Sequence, residues 1–146
     1  MLDAIGVNPL FASAMHLVMA QRLIRKLDDE TKIEYDPDEK VKTQIQAVVD
    51  GLPPNMERPN LEHLKLYKPG TSDENPFGFK GQIALREQFR MTPGVQELLR
   101  MDPGQITTHM LEKKAVEEGM LTMLQDGVLK VINGETTLEE VYRVVG

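Results

Sequence analysis

Cysteine is absent from the 146-residue chain. A disulfide framework and a thiolate zinc site are therefore both excluded. At this length the chain can still bury one core, or two small ones, without covalent cross-links.

Positive charge is in deficit. The chain has 17 lysine and arginine residues against 23 acidic residues, for a formal net charge of -6. Nucleic-acid binding depends largely on contacts between basic side chains and phosphates. The composition therefore argues against nucleic acid as a partner and favours a protein.

Long hydrophobic runs are also missing. The longest one covers residues 9–20, contains Ser13 and His16, and is too short to cross a bilayer. No basic residue precedes it, and Asp3 lies near its start, so it lacks the charge layout of a secretory signal. We expect a buried helix here, no direct membrane insertion, and a cytoplasmic protein.

A phosphate-binding Gly-x-x-x-x-Gly-Lys-Ser/Thr loop does not occur. Such a loop supplies the backbone N–H groups and the lysine that hold ATP phosphates. The chain alone is therefore not expected to hydrolyse ATP or to carry a catalytic residue.

The first half of the chain has two helix signals. Asn8 and Pro9 begin one helix, which is apolar on more than one face, so it expects neighbours on several sides and implies that the polypeptide extends upstream of Met1. Residues 36–39 begin a second helix that ends at Gly51. Prolines then predict a linker over residues 52–60.

Two segments alternate polar and apolar residues as strands do. They are residues 63–67 and residues 79–89, the second with Phe79, Ile83 and Leu85 on its inner face. We expect the two segments to pair as a small antiparallel sheet.

The C-terminal third reads as helices. Thr92 caps the first, a second covers about residues 106–118, and a third ends at Asn133-Gly134. A capping box from Thr137 to Glu140 opens the last. The predicted fold is α+β and predominantly helical, with a small antiparallel β-hairpin or sheet and a C-terminal helical cap whose helices share one core with the helix after Thr92.

Three segments carry a family resemblance in the same order. Residues 115–145 hold Gly-Met, Asp-Gly, Lys-Val and then Gly-x-Thr-Thr-Leu-Glu-Glu-Val; residues 19–27 hold Ala-Gln-Arg-Leu; and residues 78–83 read Gly-Phe-Lys-Gly-Gln-Ile. Together they resemble the C-terminal region of the ATPases of type II secretion and type IV pilus assembly, in which the Ala-Gln-Arg-Leu segment is expected to be helical.

The resemblance implies a domain organisation and a function. Residues 1–27 would be the terminal helix of the ATPase core, 28–76 a cysteine-free counterpart of a zinc-binding insertion, and 77–146 the hairpin with the C-terminal helical domain. ATP and magnesium would bind upstream, in a homo-hexamer peripheral to the inner membrane. This region would pass motion to neighbouring subunits and to a membrane platform protein.

Zinc ligands are replaced at the positions that the resemblance assigns to two Cys-x-x-Cys pairs. Asp28 and Thr31 stand at the first pair, Thr71 and Glu74 at the second. We expect no zinc, and an insertion held by packing alone. An oxygen-ligated ion at Asp28, Asp29 and Glu74 is the alternative to a solvated acidic loop.

Four residues are candidates for proximity to nucleotide. The family's hairpin carries an arginine where this chain has Gln82, and that arginine resembles an arginine finger. Either Lys80 or Arg86 substitutes for it, or this member contributes less to catalysis. Arg22, in the Ala-Gln-Arg-Leu segment, is the fourth candidate. The alternative is that Arg22 faces solvent on its helix.

An adaptor without a motor is the rival hypothesis. It would bind a partner helix through a methionine-rich surface that includes Met110, Met120 and Met123, although core filling also explains these residues. A small independent enzyme has little support, since the three histidines fall on separate elements and no acid, base and nucleophile cluster together.

Overall fold

The computed structural model describes residues 15–146, so residues 9–14 of the helix expected to begin at Pro9 lie outside the described part. Residues 17–20 of that expected helix belong to a strand. The described residues form five α-helices, one 3-10 helix and four strands. The fold is α+β with helix predominating, as predicted. The strands are β1 (Leu17–Leu27), β2 (Ile33–Tyr35), β3 (Leu66–Lys68) and β4 (Phe79–Arg90); the helices are α1 (Glu39–Asp50), α2 (Pro93–Leu99), α3 (Thr108–Glu117), α4 (Met123–Ile132) and α5 (Leu138–Val145).

The Ala-Gln-Arg-Leu segment is a strand, and the prediction of a helix over residues 19–27 was wrong. Strand β1 pairs antiparallel with β4 from Leu17 opposite Arg90 to Arg25 opposite Gln82. The apolar residues of this segment suit either structure, so the long partner strand decides between them. Hereafter the β1–β4 pair is called the ribbon.

Strand pairing also differs from expectation. Residues 79–89 are a strand, as predicted, but β3 pairs with β2 over residues 33–35 and not with β4. The ribbon and the β2–β3 pair are two separate two-stranded sheets. The error has a simple cause. Because residues 19–27 were assigned to a helix, residues 63–67 were the only predicted strand left to pair with β4.

A β-bulge lies at the end of the ribbon. Between the pairs Arg25–Gln82 and Leu27–Phe79, one residue of β1 faces two residues of β4. Gly81 is one of those two and has φ of 81°, a left-handed conformation that favours glycine. The second glycine of the hairpin motif is therefore required by the bulge.

The helix termini follow the predicted signals. Asp38 caps α1, its Oδ1 accepting from the Val41 amide at 2.8 Å, and Gly51 follows the helix. Thr92 caps α2 and Thr137 caps α5 in the same way. Residues 52–60 contain no helix or strand, as a linker should.

The main core lies between the ribbon and helices α1, α4 and α5. Its fully buried side chains come from all of these elements and from β3: Ile24, Ile45, Leu66, Leu85, Val128, Val131 and Val141. Helix α2 packs against α3, and its buried Val95 is outside this cluster. The expectation that α2 shares one core with the last two helices was therefore wrong.

Candidate functional site

A buried carboxylate joins the ribbon to the last helix. Glu140 of α5 accepts from the Arg25 backbone amide and the Arg25 Nε, both at 3.0 Å, and from the second guanidinium nitrogen at 2.5 Å. Arg143 donates to the same carboxylate at 3.1 and 2.8 Å. One carboxylate thus receives five hydrogen bonds, and a main-chain group of β1 is among the donors.

These hydrogen bonds stabilise the ionised form of Glu140. Only 3% of its side chain is exposed. Burial raises the pKa of the Glu140 carboxyl, but hydrogen bonds from Arg143 and Arg25 outweigh burial and lower it to about 2. The same contacts raise the pKa of both guanidinium groups. Glu140 therefore remains ionised at neutral pH.

The loop before α5 adds two further contacts with β1. The Leu27 amide donates to the Glu135 carbonyl at 2.9 Å, and the Thr136 hydroxyl donates to the Arg25 carbonyl at 2.9 Å. The Arg25 guanidinium lies 4.2 Å from the centre of the Phe79 ring, which belongs to the hairpin motif. The three segments that carry the resemblance therefore meet at one junction.

Helix α4 contacts the opposite edge of the ribbon at two points. The Arg86 amide donates to Asp126 Oδ2 at 2.9 Å, and Lys130 pairs with Asp126 at 2.7 Å. Glu87 accepts from the Met123 amide at 2.9 Å, at the start of α4. Each long edge of the ribbon thus has a backbone N–H bonded to a helix carboxylate, which protects part of an otherwise open strand edge.

The four nucleotide candidates do not converge. Paired residues of an antiparallel ribbon share a face, so Gln82 and Arg86, opposite Arg25 and Gln21, lie on one face, while Arg22, opposite Leu85, lies on the other. Lys80 is in the bulge, where its charge contributes to lowering the pKa of Asp28. All four candidates are exposed.

The side chains of Asn75 and Asp28 join the two segments that stand at the positions of the family's zinc-binding pairs. Asn75 Nδ2 donates to Asp28 Oδ2 at 2.9 Å and to the Phe79 carbonyl at 3.0 Å. Asp28 Oδ1 accepts from the Glu30 amide, and the Asp28 amide donates to the Gly78 carbonyl, both at 3.0 Å. Hydrogen bonds from Asn75 and Glu30 lower the pKa of Asp28. Specific polar contacts thus supplement the packing expected to hold this insertion.

Among residues 15–146, no three histidine, cysteine or acidic side chains are grouped as metal ligands. Asp29, one of the proposed oxygen ligands, pairs with Lys26 at 3.1 Å and Lys32 at 2.6 Å. Within the same described part, no helix has the length and hydropathy needed to span a membrane.

Sequence reasoning missed the roles of Arg25 and Glu140. Glu140 is the third residue after Thr137, and this spacing indicated a capping box. Thr137 does accept from the Glu140 amide at 3.3 Å, but the Glu140 side chain turns to the two arginines. A full capping box forms instead at Thr122 and Gln125. No local signal could have identified a partner 115 residues away.

Comparisons with known proteins give a family match and several relatives. A family model described as "Type II/IV secretion system protein" matches residues 2–143. The chain is similar to the type IV pilus assembly ATPase PilB of Pseudomonas aeruginosa, with 30% identity over 133 residues covering 91% of this chain and 21% of that protein. Its similarity to PilB of Myxococcus xanthus is 32% over 139 residues, covering 93% and 22%.

A secretion protein gives a comparable match. Similarity to type II secretion system protein E of Xanthomonas campestris pv. campestris is 30% over 141 residues, covering 92% of this chain and 22% of that protein. The chain spans about a fifth of the length of the curated relatives it matches.

Proposed function

The chain belongs to the type II/IV secretion system protein family, and from this premise we propose that it is the C-terminal part of a motor ATPase for type II secretion or type IV pilus assembly. Support comes from relatives named as pilus assembly ATPases and as a type II secretion protein. ATP and magnesium bind in the upstream part of the motor, since the phosphate-binding loop is not in these residues. This region contributes mechanical coupling.

The observation that carries the proposal is the junction of Arg25 with Glu140. It ties the ribbon, whose strand β1 lies in the segment assigned to the end of the motor core, to helix α5. Hydrogen bonds at Leu27 and Thr136 reinforce the tie. A unit held at several points moves as a rigid body, and a displacement at the ribbon therefore reaches the C-terminal helices undiminished.

The proposed assembly is a homo-hexamer on the cytoplasmic side of the inner membrane. In it, this region transmits motion to neighbouring subunits and to a platform protein in the membrane. Relatives named for secretion and pilus assembly support that setting. The exposed positions of the nucleotide candidates are compatible with contacts to a neighbouring subunit.

Gln82 is the proposed site of a weakened nucleotide contact. It shares a face of the ribbon with Arg86, but the two residues are four positions apart, a distance of about 14 Å along the strand. Lys80 is closer in sequence but lies in the bulge beside Asp28. Neither cation replaces an arginine at position 82 without local rearrangement, which favours a member that contributes less to catalysis here.

Distances between spin labels test the rigid-body proposal. Cysteines would be placed at the exposed residues Gln21 and Glu139 of the full-length motor, in an otherwise cysteine-free background. The label-to-label distance should be the same with ADP and with a non-hydrolysable ATP analogue, whereas Glu139 paired with a label on the motor core should give two distances. A change of several ångströms within the Gln21–Glu139 pair would contradict rigid transmission.

The adaptor hypothesis gains no support from Met110, Met120 and Met123. Met120 and Met123 are 7% and 9% exposed and line the interior, which leaves Met110, at 36%, as the exposed member of the three. An adaptable methionine surface needs several exposed side chains. Core filling describes these residues better.

A further inference from the structure

An open groove runs along the outer edge of β4. It has a volume of about 660 Å³. One wall is the strand edge, and the other is formed by the turn after α3 and by α4. Its lining includes Ala84, Arg86, Gln88, Arg90, Leu121 and Lys130.

Part of the strand edge in this groove is available for hydrogen bonding. The Met91 amide bonds to the His16 carbonyl beside β1, whereas the Arg86 amide points outward to Asp126. Since directions alternate along a strand, the N–H and C=O of Gln88 and the N–H of Arg90 also point outward. The Asp126 carboxylate limits the available edge to this stretch.

The groove carries unbalanced positive charge. Its two acidic side chains are already paired with lysines: Asp126 with Lys130 at 2.7 Å, and Glu118 with Lys114 at 3.7 Å. Arg86 and Arg90 are exposed and form no ion pair with any residue in the described range 15–146. Two cations therefore face a groove in an otherwise acidic chain.

We propose that this groove docks an extended acidic segment of a protein partner, which adds a short strand to β4 at Gln88–Arg90 and pairs its carboxylates with Arg86 and Arg90. Addition of a strand to a free edge is an established mode of peptide recognition. The two arginines are about 14 Å apart along β4, the spacing of residues i and i+4 on a paired strand. Carboxylates four residues apart on the segment match that spacing and lie on one face of it.

A strand-like occupant fits this groove better than a compact anion. To bind a single phosphate group, both arginine side chains would have to bend toward each other across that separation, and the phosphate would make no use of the outward backbone groups of Gln88. The apolar lining at Ala84 and Leu121 also suits the methyl or methylene groups of a peptide. The proposal concerns the binding of a peptide and not ATP turnover, so it goes beyond the motor function proposed above.

Fluorescence anisotropy with a defined probe tests the proposal. The probe is a fluorescein-labelled seven-residue peptide of alternating glutamate and threonine, and its control replaces each glutamate by lysine. Saturable binding of the acidic peptide that weakens with added salt is expected. Arg86→Gln combined with Arg90→Gln should weaken it at least about threefold, whereas Arg100→Gln, at an exposed arginine after α2, should not.

A second pair of variants tests the backbone contribution. Gln88→Pro removes an outward N–H that does not serve the β1–β4 ladder, so the fold should tolerate it as an edge strand does. It should weaken peptide binding at least about threefold, and Gln88→Thr, which keeps the N–H, should not. Circular dichroism melting confirms folding of each variant.

Several outcomes would overturn the docking site. They are the absence of saturable binding up to about 1 mM chain, equal binding of the lysine peptide, and unchanged affinity in the folded double arginine or proline variants. Displacement of the peptide by inorganic tripolyphosphate at lower concentration than by unlabelled peptide would instead identify a phosphate site.

Discussion

Arg25 and Glu140 are 115 residues apart, yet the backbone and the side chain of Arg25 both donate to the Glu140 carboxylate. The contact fixes the position of α5 along β1, because the bonded amide belongs to the strand itself. A side-chain pair alone would allow the helix to slide. This relationship makes Glu140 the most informative residue for mutation.

Replacing Glu140 by glutamine should destabilise the protein. Glutamine keeps the shape but loses the charge, leaving two arginines and a buried amide imperfectly bonded. We expect a loss on the order of 1–3 kcal/mol at neutral pH, since both arginines are half exposed and solvent screens them. Urea denaturation measures it, with Glu139→Gln, on the exposed side of α5, as the control.

The effect of Glu140→Gln should depend on pH. The folded-state pKa of Glu140 is about 2, below its ordinary value of 4.5. Its contribution to the free energy of unfolding is therefore complete above about pH 4.5 and lost as the pH falls toward 2. Wild type and variant should converge in stability over that range. A difference that persists unchanged at pH 2 would contradict the ion pair.

Local signals in the sequence identified most helix ends, because caps act over three or four residues. Asp38, Thr92 and Thr137 each cap the helix that was predicted to follow them. The ribbon was not predictable in this way, since whether residues 17–27 are strand or helix depends on β4, more than fifty residues away. The candidate site could not be predicted for the same reason, because its defining contact, between Arg25 and Glu140, is a long-range one.

Gly127 should not tolerate a side chain. A Cβ there would lie 2.6 and 3.0 Å from the two Val141 methyl carbons, at the packing of α4 against α5. Gly127→Ala gains up to about 1 kcal/mol in helix propensity, but overpacking costs about 1–3 kcal/mol, so we expect net destabilisation. Val141→Ala removes those methyl carbons. The Gly127→Ala, Val141→Ala double variant should therefore recover part of the propensity gain when it is compared with Val141→Ala alone. A single variant more stable than wild type by thermal melting would contradict this packing.

The hydrogen bond of Asn75 with Asp28 should hold the insertion without metal. Asn75→Ala removes the bonds to Asp28 and to the Phe79 carbonyl, so Tm should fall by several degrees. The nearby exposed Ser72→Ala change removes only a local bond to the Asn75 amide and should have a smaller effect. EDTA should leave wild-type Tm unchanged. About one equivalent of tightly bound zinc in purified protein would contradict the prediction.

Gln82 offers a test of the nucleotide contact in full-length protein. Gln82→Arg should raise ATP turnover if the native residue is a weakened contact, and Lys80→Ala or Arg86→Ala should lower it if either has taken over. An arginine finger can contribute about 10³-fold or more, so partial restoration is measurable. Arg22, on the opposite face, provides the comparison through Arg22→Ala. Wild-type turnover in all variants, with intact assembly, would assign the hairpin a structural role.

The most direct test of the coupling proposal measures ATP hydrolysis and assembly output together in the full-length motor. Glu140→Gln loosens the ribbon from α5 without touching the upstream ATP site, so turnover per subunit should stay within about twofold of wild type, a free-energy difference of about 0.4 kcal/mol. Pilus assembly or secretion per ATP hydrolysed should fall severalfold, while Glu139→Gln leaves both unchanged. Wild-type output per ATP from a folded Glu140→Gln motor would contradict the account.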